Sequence, residues 1–346
     1  MPTLNCELIR SLTIDPAAVW YRRRHPLALA LAPLGWLYCA VALVRRYGYR
    51  SGWFEVQRLP VPVIVVGNLS VGGTGKTPLV LKLAELAIER GWRPAILMRG
   101  YGARTAVWPR VAAAGDDPAL VGDEPALLAG RGVCPVVVGP DRVADGELAI
   151  QRLGCNLLLS DDGLQHYRLA RDLEIAVIDG ERGLGNGRCL PAGPLREPGR
   201  RLRSVDLVIH NGGRGLGHRF RLVPGAAYRL ADPRQRRPLS DFDGQRVTAV
   251  AGIGNPGRFF AMLRGHGLRV DERSYPDHHP FTPADLATWS PGPVLMTEKD
   301  AVKCAAFACP DHWVCPVEAV PDPAFVTAVL ARIGAPPLES GPGGTR

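Results

Sequence analysis

An α/β fold is what the sequence predicts, with a parallel sheet covered by helices and a second, smaller α/β unit after it. Three observations carry that expectation. A run of Val, Ile and Pro at 61–66 leads into a glycine-dense loop and then into a helical pattern at 79–90. Short apolar runs alternate with helical patterns on both sides of a polar, Pro-containing stretch at 219–230, the pattern of parallel strands with helical crossovers. Ahead of them lies an uncharged stretch, 27–44, bracketed by arginines.

Taken in order, the N-terminal segment is first. Residues 1–60 hold eight Arg, no Lys and three acids, so they supply 8 − 3 = 5 of the net +9. The excess flanks an apolar run instead of forming an aromatic-interleaved patch, which favours an anionic membrane surface over nucleic acid as the partner. Arg22, Arg23, Arg24 and His25 precede the run, and Arg45 and Arg46 follow it. At 18 residues, interrupted by Pro33 and Gly35 and diluted by alanines, it sits at the short edge for spanning a bilayer, which takes about 20. It is too long and begins too late for a signal peptide. An interfacial helix, a span and an ordinary core helix stay open. Trp20, Tyr21, Trp36, Tyr38, Tyr47, Tyr49 and Trp53 beside arginine favour the first, because amphipathic rings suit the headgroup layer.

Next comes Gly67-Asn68-Leu69-Ser70-Val71-Gly72-Gly73-Thr74-Gly75-Lys76-Thr77-Pro78. A glycine-rich loop between strand and helix turns backbone N–H groups onto phosphate oxygens, so Ser70, Val71, Gly72, Gly73, Thr74, Gly75, Lys76 and Thr77 form the predicted nucleotide loop. Lys76 neutralises the outer phosphates, Thr77 supplies a hydroxyl to Mg²⁺, and Pro78 falls in the first helical turn, where its missing N–H costs nothing. The sheet is therefore P-loop NTPase-like and the ligands are ATP and Mg²⁺. One departure stands: Ser70 occupies the place where the P-loop pattern expects Gly. The apolar strand 156–160 ends in Asp161 and Asp162, in the form of the second, metal-holding element of such sites.

Further strands are predicted at 95–98, 136–138, 173–178 and 205–209, a β linker at 219–230, and second-unit strands at 247–251, 268–274, 294–297 and 313–317. The resulting division is a membrane-associated segment 1–50, a nucleotide domain 51–215, a linker 216–240, a smaller α/β domain 241–335 and a flexible tail 336–346. Eight cysteines include no CxxC pair. Cys304, Cys309, His312 and Cys315 match no finger or ribbon spacing and read as buried thiols.

GNLSVGGTGKTP, RGYG, VGDEPALLA, SDDGLQH, LPAGPLRE, PDHHPFT and TEKDAVK, in this order, resemble the tetraacyldisaccharide 4′-kinase family of lipid A synthesis over about residues 10–335. The resemblance implies transfer of the γ-phosphate of ATP to the 4′-hydroxyl of a tetraacyldisaccharide 1-phosphate, giving lipid IVA, at the cytoplasmic face of the bacterial inner membrane. It implies no nucleic-acid partner and no obligate protein partner. By position, Lys76 and Thr77 grip ATP and Mg²⁺, Asp161 and Asp162 organise the metal, Asp123 accepts the hydroxyl proton, and His278 pairs with Asp123, with His279 the alternative ring. From the residues alone, Asp123 in Gly-Asp-Glu-Pro reads first as a helix N-cap, and the two histidines as loop residues. Arg196 and Glu197, with Arg200, Arg201 and Arg203, are candidate phosphate or substrate contacts or a solvated basic loop. Gln165 and His166 support the metal site or cap its turn. A membrane-bound nucleotide switch without a lipid acceptor is the competing class. A guanine-binding version calls for Asn-Lys-x-Asp, and Thr297-Glu298-Lys299-Asp300 departs from it.

Overall fold

The computed structural model describes residues 16–336 apart from 23, 106, 214–216 and 290. Cys6, Arg23 and the tail from 337 onward lie outside the described residues.

Two sheets organise the chain. The larger has the order β15-β8-β7-β6-β1-β5-β2-β4-β3, built from β1 (Val63–Gly67), β2 (Pro94–Met98), β3 (Arg110–Ala112), β4 (Val136–Val138), β5 (Leu157–Asp161), β6 (Leu173–Asp179), β7 (Leu207–Asn211), β8 (His218–Pro224) and β15 (Val317–Pro321). The strands from β8 to β4 are parallel, and β15 and β3 close the two edges antiparallel. β1, β2, β5 and β6 are buried along their whole length, which explains why they read as continuous apolar runs. Ile64 and Val66 enter the core formed with α4 (Lys76–Ile88), α6 (Asp123–Arg131) and α11 (Pro323–Ile333), whereas Val63 and Val65 enter the opposite core with α7 (Arg142–Leu153).

The smaller sheet, β10-β9-β14-β13-β11-β12, comprises β9 (Ala227–Arg229), β10 (Asp232–Arg237), β11 (Arg246–Ala251), β12 (Arg269–Ser274), β13 (Val294–Thr297) and β14 (His312–Cys315). α8 (Pro256–Gly265) packs Phe259, Phe260 and Leu263 on one face, and α10 (Glu298–Cys304) packs Ala301 and Cys304 on the other. The predicted β linker leads from one unit to the other, and its strands belong to the sheets themselves, β8 to the large one and β9 with β10 to the small one. One expectation is corrected here. The run expected as one strand at 313–317 breaks at Pro316, and β15 with α11 returns to the large unit, where Ala319, Phe325 and Val329 join its core. The small unit therefore does not extend to 335. Cys304 and Cys315 are buried but Cys309 is exposed, contrary to the expectation for that thiol.

At the N-terminus α1 (Pro16–Trp20) and α2 (Pro26–Ala30) precede α3 (Ala32–Arg50). The apolar stretch is thus two helices, because Pro33 opens a new one. Ala32 and Gly35 face inward, and a Cβ at Gly35 would come within 3.0 Å of Ala192 Cβ and the Cys189 carbonyl. Arg46 Nη2 donates to Ser204 Oγ at 2.6 Å and Arg45 Nη1 to the Gln165 carbonyl at 3.2 Å. The opposite face leaves Leu34, Leu37, Val41 and Val44 at least 55% exposed, at helical spacing. That outward face excludes a fully buried core helix. Among the described residues, no helix is long and apolar enough to cross a membrane.

Candidate active site

The nucleotide loop is braced from three sides. Its entry is tied to the 189–197 loop: the Val71 amide donates to the Pro194 carbonyl at 2.8 Å, the Arg196 amide to the Leu69 carbonyl at 2.6 Å, and Ser70 forms an antiparallel bridge with Leu195. Asp162 and His278 are the described non-glycine residues with positive φ, so Ser70 is not held in a glycine-only conformation, and its departure from the motif carries no strain. Gly75 is in the left-handed region at φ +82° as N-cap of α4, where a Cβ would be disfavoured. The loop's far side is held by Asn211 at the end of β7, which donates to the Thr74 carbonyl at 3.0 Å and accepts from Arg258 of the small unit at 2.8 Å.

Lys76 opens α4 and points back into the loop, 3.1 Å from Asn68 Oδ1 and 3.5 Å from Asp162 Oδ1. Thr77 Oγ1 donates to Asp161 Oδ2 at 2.9 Å. β1 and β5 run in register, Val66 opposite Asp161, which brings the acids beside the loop. Asp161 is 2% exposed. Burial first, and the charge of Glu124 next, push its carboxyl up to about 7. Its Oδ1 is buried without a hydrogen-bond partner among the described residues. Such an orphaned oxygen, beside a threonine hydroxyl and a second carboxylate, is an all-oxygen donor set that fits Mg²⁺. Asp162 lies in the cleft still reached by solvent. Burial alone would raise its carboxyl, but Lys76 and Arg196 outweigh it and hold it at about 2. Arg196 Nη1 donates to both Asp162 oxygens, at 2.9 and 2.8 Å.

Glu197 is 3% exposed, accepts from Tyr167 Oη at 2.5 Å and from Gln165 Nε2 at 3.0 Å, and faces Arg201. It lines the cleft beside Arg196, and these contacts brace the wall. One expectation for the 196–203 stretch is corrected. Arg201 is buried and donates to both Glu174 oxygens at 2.6 and 2.7 Å, leaving Arg200 and Arg203 exposed. His166 caps nothing: its Nε2 has no hydrogen-bond partner among the described residues, and burial, with Arg142, Arg171 and Arg45 nearby, pushes the ring down to about 4.

Asp123 is the first residue of α6, and the N-cap is Gly122, so the capping reading fails. The carboxylate instead meets His278 from the other unit, Nδ1 to Oδ2, at 3.0 Å, with Lys303 Nζ at 4.0 Å. His279 turns away, bonds Asp285 at 3.2 Å and stacks on Tyr275, so His278 is the ring that pairs with Asp123. Tyr101 of the RGYG string lies 5.5 Å from the His278 ring. Thr297 caps α10, while Lys299 reaches Asp277 and His278. A cleft of about 1160 Å³ contains Lys76, Thr77, Asp161, Asp162, Asp123 and His278, and Tyr38, Val41, Ala42 and Arg45 of α3 form part of its wall. Asn68, Asn211, Arg258 and Lys299 were given no role from sequence. Asn68 and Lys299 lie within the strings GNLSVGGTGKTP and TEKDAVK, and Asn211 carried a signal of its own, as a polar residue at the carboxyl end of a parallel strand.

The model of the tetraacyldisaccharide-1-P 4′-kinase family matches residues 27–334. Tetraacyldisaccharide 4′-kinase of Alkalilimnicola ehrlichii is 54% identical over 322 residues, covering 91% of this chain and 97% of the relative. The protein of that name from Pseudomonas aeruginosa is 50% identical over 320 residues, covering 91% and 96%. A crystal structure of LpxK from Aquifex aeolicus in complex with ATP superposes with a TM-score of 0.73 at 30% identity, covering 89% of this chain and 99% of that one.

Proposed function

The chain belongs to the tetraacyldisaccharide-1-P 4′-kinase family, and we propose that it transfers the γ-phosphate of ATP to the 4′-hydroxyl of a tetraacyldisaccharide 1-phosphate, giving the 4′-phosphorylated lipid IVA of lipid A biosynthesis. The observation that carries the chemistry is the Asp123–His278 contact at 3.0 Å in the same cleft as the phosphate loop. A sugar hydroxyl is a poor nucleophile and needs a base within hydrogen-bond reach. Asp123 takes its proton as the oxygen attacks the γ-phosphorus, and ADP departs with the bridging oxygen. His278 orients the carboxylate.

Positioning and charge neutralisation supply the rest. The amides of 72–77 cradle the phosphates, while Ser70 and Val71 tie the loop to the 189–197 segment, and Lys76 neutralises the phosphate charge. Thr77, Asp161 and Asp162 would hold Mg²⁺, which draws charge off the phosphate oxygens. Arg196 keeps Asp162 ionised and in place. The exposed apolar face of α3, flanked by Arg45, Arg46 and Arg50, lies in the membrane interface as a peripheral anchor at the cytoplasmic face of the inner membrane. The same helix walls the cleft, so an acylated sugar can present its headgroup to Asp123 while its chains stay in lipid.

The test uses the purified protein with labelled ATP, Mg²⁺ and tetraacyldisaccharide 1-phosphate in mixed micelles, with the product mapped by position. Phosphate on the 4′-hydroxyl is expected. ATP hydrolysis that proceeds equally without the acceptor would overturn the assignment in favour of a switch.

A further inference from the structure

His278 sits at φ +62°, a left-handed conformation that persists in a non-glycine residue only where its surroundings determine it. Two contacts hold the ring from opposite ends. Nδ1 is 3.0 Å from Asp123 Oδ2, and Nε2 is 3.3 Å from Lys299 Nζ. We infer that Lys299 is a positioning residue that fixes His278 in the tautomer whose Nδ1–H points at Asp123.

A carboxylate only accepts and an ammonium only donates. Both contacts form on one neutral ring only when the proton is on Nδ1 and the lone pair on Nε2. Lys299 is a dependable donor, since its side chain is 16% exposed and its Nζ lies 3.1 Å from Asp277 Oδ1 and 3.5 Å from Glu124 Oε1. Burial alone would lower its basicity, but Glu124 and Asp277 outweigh that and raise it. Asp277 Oδ2 is 3.9 Å from His278 Nε2, outside hydrogen-bond range. Without the ammonium, Asp277 is the nearest acceptor for an Nε2–H. A ring protonated there would turn its Nδ1 lone pair onto the Asp123 carboxylate, replacing a hydrogen bond with a repulsion. Lys299 also joins the two units, because it rides on α10 of the small one while Glu124 belongs to α6 of the large one.

The inference rests on reading Asp123 as the base, and the experiment separates the two. Full-length protein labelled with ¹⁵N-histidine is examined by long-range ¹H–¹⁵N correlation, with the His278 signal assigned by its loss in His278→Gln. The unmutated protein should show Nδ1 protonated and Nε2 bare. Lys299→Met should move the proton to Nε2 or protonate both nitrogens, and should lower kcat about tenfold or more with the KM for ATP changed less than about twofold. Lys299→Arg, which keeps the donor, should retain the tautomer and most of kcat. In a His278→Ala background, Lys299→Met should cost less than about twofold, because its effect runs through the ring. An Nε2–H ring in the unmutated protein, an unchanged tautomer in Lys299→Met, or an equal loss in both backgrounds would each overturn the inference. The first of these needs only His278→Gln, which serves to assign the signal. A mild defect in Asp123→Ala would sink the base assignment while leaving the tautomer result standing.

Discussion

Truncating Asp123 and His278 singly and together is the sharpest test of the site. The His278–Asp123 contact is 3.0 Å long, and the Asp123 side chain is 14% exposed. A hydrogen bond to a charged group in such a setting contributes about 1.5–3 kcal/mol, and about 1.4 kcal/mol is a factor of ten in rate. His278→Ala should therefore lower kcat by about 10- to 150-fold. Loss of a general base costs about 10²–10⁴, so Asp123→Ala should be the worse of the two. If the ring acts only through the carboxylate, the double variant should match Asp123→Ala, and the coupling energy equals the whole His278 effect. Initial rates at saturating ATP with the acyl disaccharide acceptor decide it, alongside ATP titration, which should move little. Losses that multiply fully would refute the reasoning and make His278 an independent contributor.

Three further outcomes follow from the same geometry. Lys76→Ala should reduce kcat at least about a hundredfold at saturating ATP, since it removes charge from the transferring phosphates; stopped-assay rates near normal would contradict its placement. Leu37→Glu with Val41→Glu, on the outward face of α3, should shift the protein from anionic vesicles to the supernatant in flotation while leaving its melting temperature within about 3 °C. High salt or alkaline carbonate should extract the unmutated protein, and resistance to both would argue against an interfacial anchor. His166 is held neutral with its basicity pushed down to about 4, below the usual 6.5 or so of an unfolded chain. Its contribution to stability is complete above that unfolded value and is lost as pH falls toward 4. His166→Gln should then lose less stability than the native protein between pH 7 and 5, by about 2 kcal/mol in urea unfolding.

The elements most legible in sequence are those whose signals are local. β4 and β13 fall at their expected residues, and β1, β2, β5, β6 and β11 within a residue or two, because full burial writes each as an apolar run. β3 and β10 gave no such run: they are edge strands, and Asp232–Arg237 is almost wholly polar. Val317 reads as the end of β14 and the rest of β15 as no strand at all, because the choice of partner strand is a long-range matter, invisible in the composition of Val317–Pro321. The site divides the same way. Lys76, Thr77, Asp161 and Asp162 sit next to a glycine loop or a strand end. Asp123 finds its partner 155 residues away, and local signals alone favour a helix cap. Arg201 misled for the opposite reason, since nothing around it in sequence announces that Glu174 takes it into the interior.

The chain leaves the large sheet along β8 and comes home along β15, antiparallel and side by side from Val317 opposite Pro224 to Pro321 opposite Phe220. The small unit is therefore an insertion between two neighbouring strands at one edge of the large sheet, where β8 is itself paired with β7, so the unit is anchored at both ends. At that edge Glu298 accepts from the Val317 amide at 3.2 Å and pairs with Arg131 at 2.7 Å. Two crossings at one place hold the inserted unit against its host, so Asp123 and His278, 155 residues apart in the chain, are presented to one another at high effective concentration.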